Sequence, residues 1–434
     1  MVSNKEKANT LATNFARAHN NILRSDQRTV EEVNHTMEVL ADSNEMNLDP
    51  STLAKPTEIK EIIKRLKSKK SPGQDGIRNA LLKHLPRKGL VYLTKIFNGC
   101  IRLMYFPSMW KHAIVVAIPK PKKDVTLPTN YRPISLLSSL SKVLERIILN
   151  RLNRHLDTNA VIPNEQFGFK AGHSTNHQLT RIRKIVKEGF VTKKSTGMIM
   201  LDVEKAYDSV WQEAIIYKLH RSNCPLYIVK LIQSFLLERT FQVSVNECRS
   251  EKFDIPCGVP QGSVLSPTLY NVFTSDVLMV DGVTYAFFAD DTAFLVSDVD
   301  PRIISCKLQH AQNKLEEFQQ KWRIKTNAAK TQAIFFTRKR APRHLPATEL
   351  SVNGIRIPWK NEACYLGLTM DEKLLFDKHI NSSINKVNGL TRSMYSLINR
   401  RSSLQLANKL LTSVCSGQSS PTAAQCGKVV LCPI

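Results

Sequence analysis

The chain has 434 residues, of which 42% are hydrophobic and 23% charged, and 62 Lys plus Arg against 37 Asp plus Glu leave a formal charge of +25. These proportions lie near the globular average, which excludes a disordered, collagen-like or coiled-coil protein, and the length allows roughly two to four compact units. The excess positive charge calls for a polyanionic partner, and nucleic acid is favoured over an anionic membrane surface or an acidic protein. The longest apolar runs, Ile114 to Ile118 and Met198 to Leu201, are too short to cross a bilayer, so no membrane partner is expected. Met1 to Lys7 has basic residues without an apolar core behind them, so no secretory signal is expected. Nine Cys are scattered singly with no C-x-x-C pair. They read as reduced thiols of a protein of the nucleus or cytoplasm, not as a disulfide framework or a zinc site.

Residues 1 to about 50 are polar and helix-prone, with neither Gly nor Pro before Pro50, and read as a linker or leading helix. From Lys55 to Asp124 the charge concentrates: 17 Lys/Arg stand against four acids, a net +13. Ile59, Ile62, Ile63 and Leu66 recur at helical spacing there, so a short helix buries one face and turns Lys60, Lys64, Arg65 and Lys67 outward. Ile114 to Ile118 reads as a strand, followed by a Lys/Pro loop from Pro119 to Asp124 that includes Lys120 and Lys122. A long amphipathic helix comes next, its buried stripe running from Leu136 and Leu137 through Val143, Leu144, Ile147 and Ile148 to Leu152. Residues 198–203 read as a buried strand and 241–245 as an alternating one. Residues 285–296 read as two strands meeting at Ala289-Asp290-Asp291. A helix through Ile304, Leu308, Ala311, Leu315, Phe318 and Trp322, a strand from Gln332 to Thr337 and a tight hairpin turn at Val352 to Ile355 complete the pattern. Helices and strands alternate irregularly with antiparallel hairpins, so the expected class is α+β.

Two acidic sites interrupt this apolar pattern. Asp202 stands where the strand Met198 to Leu201 should emerge, and Asp290-Asp291 lie inside an otherwise apolar hairpin. Adjacent ionised carboxylates in such surroundings cost several kcal/mol unless a cation offsets them. Hard oxygen donors from two segments suit Mg²⁺, and two such ions can activate a hydroxyl and stabilise a leaving oxygen in phosphoryl transfer. Taken alone, Asp290-Asp291 could equally be a polar turn, because a bare Asp-Asp pair is a weak motif. Between the two sites lies Cys257-Gly258-Val259-Pro260-Gln261-Gly262-Ser263, a loop of small residues that lets another chain approach its backbone.

Here the sequence resembles the reverse transcriptases of non-LTR retrotransposons, most closely the insect Jockey-like group. The resemblance is carried, in the family's order, by Leu201-Asp202-Val203 with Lys205-Ala206-Tyr207-Asp208, by Gly258 to Ser263, and by Phe288-Ala289-Asp290-Asp291. Lys70 to Gly76, Asn130 to Ser135, Gln166-Phe167-Gly168-Phe169 and Tyr365-Leu366-Gly367 support it. It implies a right-hand polymerase: a linker or leading helix over 1–54, a basic extension and fingers over 55–197, a palm over 198–372, a partial helical thumb over 373–410 and an atypical tail over 411–434. The reverse transcriptase domain would occupy about 101–372.

The resemblance also implies roles. Asp202, Asp290 and Asp291, with the Val203 carbonyl, would hold two Mg²⁺ ions, Mn²⁺ being able to substitute, and Lys330 would protonate the departing pyrophosphate. Lys120 and Arg132 would pair with the triphosphate, Arg by its planar fork. Tyr207 would occupy the position that excludes a ribose 2′-hydroxyl, where family members often carry Phe. Gln261 and Gly262 would line the nucleotide and template path, and Tyr365, Leu366 and Gly367 would form the primer grip, although locally this segment reads equally as an edge strand packing on the palm. Glu204, Lys205 and Asp208 read as ordinary charged residues of a turn, while Phe167 and Phe169 are either a stacking platform for template bases or core. The partners implied are an RNA template, a DNA primer and deoxynucleoside triphosphates.

Two alternatives share the palm: a polymerase-derived binding protein that has lost its chemistry, and an intron-type maturase, which would need a splicing-associated basic domain after the thumb. Residues 411–434 contain no Asp, Glu, Arg or His yet hold Cys415, Cys426 and Cys432. That shift in composition is expected if the reading frame departs from the family's within a truncated thumb, which would weaken the hold on primer and template. Comparison of the coding DNA in all three frames tests this, and a continuous family-like match in the present frame would refute it.

Overall fold

A computed structural model describes residues 3–19, 25–43, 48–121, 123–338 and 349–395. The expected tail at 411–434, the thumb beyond residue 395 and Lys122 lie outside the described residues. The chain divides into two compact units, each assembled from three stretches. The first comprises Met1–Asn164, Val203–Leu278 and Glu317–Lys325, and the second Glu165–Asp202, Met279–Glu316 and Thr326–Ile434. These units cut across the linear division into fingers and palm: residues 165–197 join the acidic strands, and residues 203–278 join the basic half.

In the first unit, β1 (His112–Pro119) and β2 (Tyr131–Leu136) pair antiparallel, Ile114 opposite Leu136 and Ile118 opposite Arg132. The next strand in the chain, β3 (Ser195–Leu201), belongs to the second unit. The other edge of β1 takes β4 (Thr240–Val245) in parallel, Val115 opposite Val243. A parallel pair needs a long crossover, which is why this contact spans so much sequence. The short strands β5 (Cys248–Arg249) and β6 (Phe253–Asp254) pair with β4.

The N-terminal residues form part of this unit, as helices and not as a linker. Helix Asn4–His19 buries Ala8, Ala12, Phe15 and Ala16, and Ala12, Phe15 and Ala16 share a cluster with Val115, Phe241 and Val243 of the sheet. Helix Gln27–Asp42 begins at Asp26, whose side chain caps the Thr29 N–H, and its Glu32 accepts from the Tyr217 hydroxyl at 2.9 Å. Helix Pro56–Arg65 has the expected form, with Pro at its first turn, Ile59, Ile62 and Ile63 buried and its lysines exposed. The long helix runs Ser139–Thr158, capped by the Ser138 hydroxyl, and buries Val143, Leu144, Ile147, Ile148 and Leu152 as its periodicity requires. Glu145 is buried on the same stripe.

The second unit is built round β3, which lies between β8 (Asp291–Asp298) and β9 (Gln332–Phe336). β7 (Thr284–Phe288) flanks β8, and β12 (Trp359–Lys360) flanks β9. β3 is antiparallel to both neighbours, with Met198 opposite Leu295 on one side and Ile334 on the other. All seven residues of β3 are buried, as expected of a central strand covered on both faces. Helix Thr175–Val191 contributes Leu179, Ile182 and Val186 to the core that holds Met198, Met200, Leu295 and Ile334. Helix Pro301–Lys321, which belongs to this unit as far as Glu316, buries Ile304, Leu308, Ala311 and Leu315 here, the spacing read from the sequence. The hairpin of β10 (Leu350–Val352) and β11 (Ile355–Ile357) turns at Asn353-Gly354 as expected. A second hairpin, β13 (Glu362–Tyr365) with β14 (Leu368–Asp371), precedes helix Asp377–Ser393. Strands pair mainly antiparallel and helices are interspersed among them, so the class is α+β. The cysteines at 100, 224, 248, 257, 306 and 364 are free thiols. No helix among the described residues is long and apolar enough to cross a membrane.

Candidate active site

The acidic centre belongs to the second unit. β3 ends at Leu201, so Asp202 is the first residue that strand packing does not claim. Its carbonyl accepts from the Asn327 N–H at 2.8 Å, and its Oδ2 accepts from Lys330 Nζ at 2.9 Å. The Asp202 side chain is 37% exposed and that of Lys330 65%. β7 and β8 meet as expected in a tight turn, Phe288 opposite Asp291, leaving Ala289 and Asp290 at its tip. Ala289 adopts φ 59°, a left-handed conformation that costs a residue with a Cβ roughly 1–2 kcal/mol.

That cost is offset from the segment at 165–168. Gln166 is 4% exposed, and its Oε1 accepts from the Ala289 N–H at 2.9 Å and from the Gly168 N–H at 2.8 Å. The Phe167 N–H donates to the Phe287 carbonyl at 2.9 Å, and the Phe287 N–H to that of Glu165 at 3.1 Å. A Cβ at Gly168 would stand 2.2 Å from the Ala289 nitrogen, so only glycine allows this approach. The segment therefore holds the acidic turn. Phe167 packs edge-on to His173, with Arg181 over its ring, whereas Phe169 is 58% exposed.

Burial raises the Asp290 carboxyl above the ordinary range, and the Asp202 charge pushes the same way while Lys330 opposes it. Asp291 is pushed up to about 6, first by burial and then by the charges of Asp290 and Asp202. Repulsion among like charges in a poorly solvated site produces this pattern. Among the described residues no three His, Cys, Asp or Glu side chains are gathered tightly enough to cage an ion. The donors are hard carboxylate oxygens whose ionised forms burial and mutual repulsion disfavour, and a lysine ammonium rests on one of them. This set fits an open divalent site of the Mg²⁺ kind, completed by water and substrate phosphate, and not a closed structural one. Asp202, Asp290 and Asp291 are the residues that would hold the ion.

Tyr365, expected at a primer contact, is 3% exposed and donates its hydroxyl to the Ala286 carbonyl at 2.9 Å. Burial raises its phenol, and the Asp291 charge adds to the effect. Leu366 and Gly367, at φ 48° and 82°, form the two-residue turn between β13 and β14, so from this motif the turn and not the tyrosine ring is presented to solvent.

The remaining expected residues lie in the first unit, whose second stretch opens at Val203. Lys120 follows β1, donates Nζ to the Thr129 carbonyl at 2.8 Å and is tied through its backbone to Asn130. Arg132 is exposed on β2. Tyr207 stacks on Tyr270, ring centroids 5.2 Å apart and planes 19° apart. The loop bearing Gln261 and Gly262 is fixed along its length. Gly258 N–H donates to Val210 at 2.8 Å, Val259 N–H to Tyr207 at 2.8 Å, and Ser135 N–H to the Gln261 carbonyl at 3.0 Å. Gly262 has φ 117°, and a Cβ there would stand 2.6 Å from the Ser135 oxygen, so the loop lies directly against β2.

Three residues of this assembly were not apparent as site residues. Asp208, read as a turn residue, is 9% exposed and accepts from Gln261 Nε2 at 2.7 Å. His19 sets Nδ1 3.1 Å from the Asp208 carbonyl and 3.0 Å from that of Cys257. Glu145 accepts from the Ser263 hydroxyl at 2.6 Å and the Val264 N–H at 2.7 Å. Of the three, only Glu145 carried a usable signal, an acid on an otherwise apolar helical stripe.

Residues 118–370 match the family described as reverse transcriptase (RNA-dependent DNA polymerase). The chain belongs to the reverse transcriptase family. Among reverse transcriptase relatives, it is 35% identical over 387 residues to the probable RNA-directed DNA polymerase from transposon X-element of Drosophila melanogaster, covering 88% of this chain and 42% of the relative. It is 37% identical over 381 residues to that from transposon BS of the same species, covering 85% and 42%. It is 38% identical over 362 residues to the RNA-directed DNA polymerase from mobile element jockey of Drosophila melanogaster, covering 81% and 39%. The chain thus spans about two fifths of the length of these curated relatives. Reverse transcriptases generally use divalent metal ions, in keeping with the carboxylate donors described above.

Proposed function

We propose that the chain is an RNA-directed DNA polymerase of a non-LTR retrotransposon. It extends the 3′-hydroxyl of a DNA primer with deoxynucleoside triphosphates on an RNA template, and works inside the cell, in the nucleus or cytoplasm. The observation that carries this reading is the acidic turn. A member of the reverse transcriptase family keeps Asp202, Asp290 and Asp291 together, at the cost of a left-handed alanine and mutual repulsion, with Lys330 beside them.

Two Mg²⁺ ions, or Mn²⁺, would when bound acidify the primer hydroxyl and stabilise the leaving oxygen. Asp202, Asp290 and Asp291 hold that charge in place, assisted by the Val203 carbonyl. Lys330 carries at Nζ the proton that the departing pyrophosphate takes. Arg132 and Lys120 bind the triphosphate, and Tyr207 rejects a 2′-hydroxyl by bulk. Gln261 and Gly262 orient the nucleotide and template, and the Leu366-Gly367 turn supports the primer.

Primer extension on an RNA template by the purified chain with Mg²⁺, beside Asp290→Asn, tests the reading. The unaltered chain is expected to synthesise DNA, and the substitution to reduce the rate by about 10³-fold or more, roughly 4 kcal/mol of barrier. A chain that binds RNA but does not extend would instead be a silent, polymerase-derived binder.

A further inference from the structure

We propose that Glu145 is a positioning residue for nucleotide binding: from within helix Ser139–Thr158 its carboxylate fixes one end of the Gly258–Val264 loop and, through that loop, the side chain of Gln261. The inference rests on the polymerase reading above and names a part of its machinery outside the sequence motifs. Glu145 is wholly buried, on a helical face otherwise occupied by Leu144, Ile148 and Leu152. A carboxylate there is costly unless its lone pairs are met by fixed donors. Oε1 accepts from the Ser141 hydroxyl at 2.6 Å, and Oε2 from the Ser263 hydroxyl at 2.6 Å and the Val264 N–H at 2.7 Å. Two of the three donors belong to the loop, so the acid is spent on holding it.

Gln261 lies two residues before Ser263 and is held from its other side. Its carbonyl accepts from the Ser135 N–H at 3.0 Å, and its Nε2 donates to Asp208 Oδ1 at 2.7 Å. Ser263 also accepts, from the Leu265 N–H at 3.0 Å, which links the anchor to the start of helix Ser266–Phe273. The Arg239 guanidinium, 1% exposed, lies over the Phe235 ring at 4.7 Å and donates to the Phe235 carbonyl at 3.0 Å. Buried as it is, Glu145 touches no nucleotide. It acts by limiting where Gln261 and Gly262 stand, so its loss is expected to weaken nucleotide binding, which raises KM, more than it slows the bound complex.

The test compares Glu145→Ala, Glu145→Gln and Ser263→Ala in steady-state nucleotide incorporation, together with amide hydrogen exchange of the unaltered chain and Glu145→Ala. Glu145→Ala is expected to raise KM for the nucleotide about tenfold or more, with kcat within about threefold. Glu145→Gln retains near-normal KM, because its amide oxygen can still accept from the loop while its NH₂ donates to Ser141. Ser263→Ala, a milder change that keeps the Val264 bond, falls between them. Exchange at Val264 is expected to speed up about tenfold or more in Glu145→Ala whether or not the chain extends a primer. A fall in kcat with unchanged KM would show a merely structural role, and unchanged exchange at Val264 would show that no anchor exists; either overturns the proposal. Absence of extension by the unaltered chain would overturn the polymerase reading instead, leaving the exchange measurement to judge the anchor.

Discussion

In the second unit, Asp290 and Asp291 stand in one hairpin turn with Asp202 acting on both, and their carboxyls are pushed toward the neutral form. In the first unit Glu145 is met by three fixed donors, whereas Lys218, against Asp276 and over the Trp322 ring at 3.8 Å, is still pulled toward its neutral form by burial. The difference separates two uses of charge. At Glu145, a scaffold charge, fixed donors meet the carboxylate. Where a charge belongs to the chemistry, part of the compensation is left for a ligand to supply, and the fold carries the strain until then.

The largest effect that would sharpen this contrast is on the scaffold side. Glu145→Ala should lower stability by about 2–4 kcal/mol, because it leaves the Val264 N–H and the Ser141 and Ser263 hydroxyls without their buried acceptor; thermal or urea unfolding measures it, and a loss below about 1 kcal/mol would break the contrast. Lys218 comes next. Burial pulls its folded value down from 10.5 to about 8, so between those values the unfolded chain binds more protons and stability should rise with pH. The penalty on the charged form is fully present below pH 8 and is relieved as pH rises toward 10.5. Lys218→Met should abolish that rise, a difference of about 1–3 kcal/mol in unfolding free energy measured at pH 7 against pH 10.

The selecting side offers a smaller test. Tyr207→Ala should admit ribonucleotides about tenfold more readily, roughly 1.4 kcal/mol of lost discrimination, read from competition between ribo- and deoxynucleotides. The smallest effect is on the acidic side and has the opposite sign to the first. Asp291→Asn should raise stability by about 1 kcal/mol in metal-free buffer, after allowance for solvent screening, because it removes a charge the folded state disfavours. A loss of stability there would show that the acidic turn is itself scaffold.

Much of this was legible because the relevant residues interrupt a pattern. The strands around Met198 and Tyr285 are apolar runs, and Asp202 and Asp290-Asp291 stand out where the runs break, so both the elements and their acids could be read without neighbours. The helix Ser139–Thr158 was legible by period, yet Glu145 was not singled out, because a charge on a helix is usually solvated and its partners Ser263 and Val264 lie 118 and 119 residues away. Asp208 was passed over for the same reason, its partner Gln261 being 53 residues on. That helix Asn4–His19 docks on the sheet is not legible, because its buried face is mostly alanine, a weak hydropathy signal, and the parallel pairing of β1 with β4 that completes its docking surface leaves no local trace. For Tyr365 the motif points to a primer contact and the local pattern to a strand packing on the palm; alternation on β13 turns the ring into the core and leaves the turn outside.

The central place of β3 also bears on how the protein is made. Its partners β8 and β9 begin at Asp291 and Gln332, so the sheet cannot close until both have left the ribosome. At roughly 5–20 residues per second, a strand whose second half, Met198–Leu201, is wholly apolar waits on the order of ten seconds with its edges unpaired. Such a strand is an invitation to self-association during that interval. Slowing elongation between β3 and β9 should therefore lower the yield of soluble chain, and early capture by a chaperone at that segment should restore it.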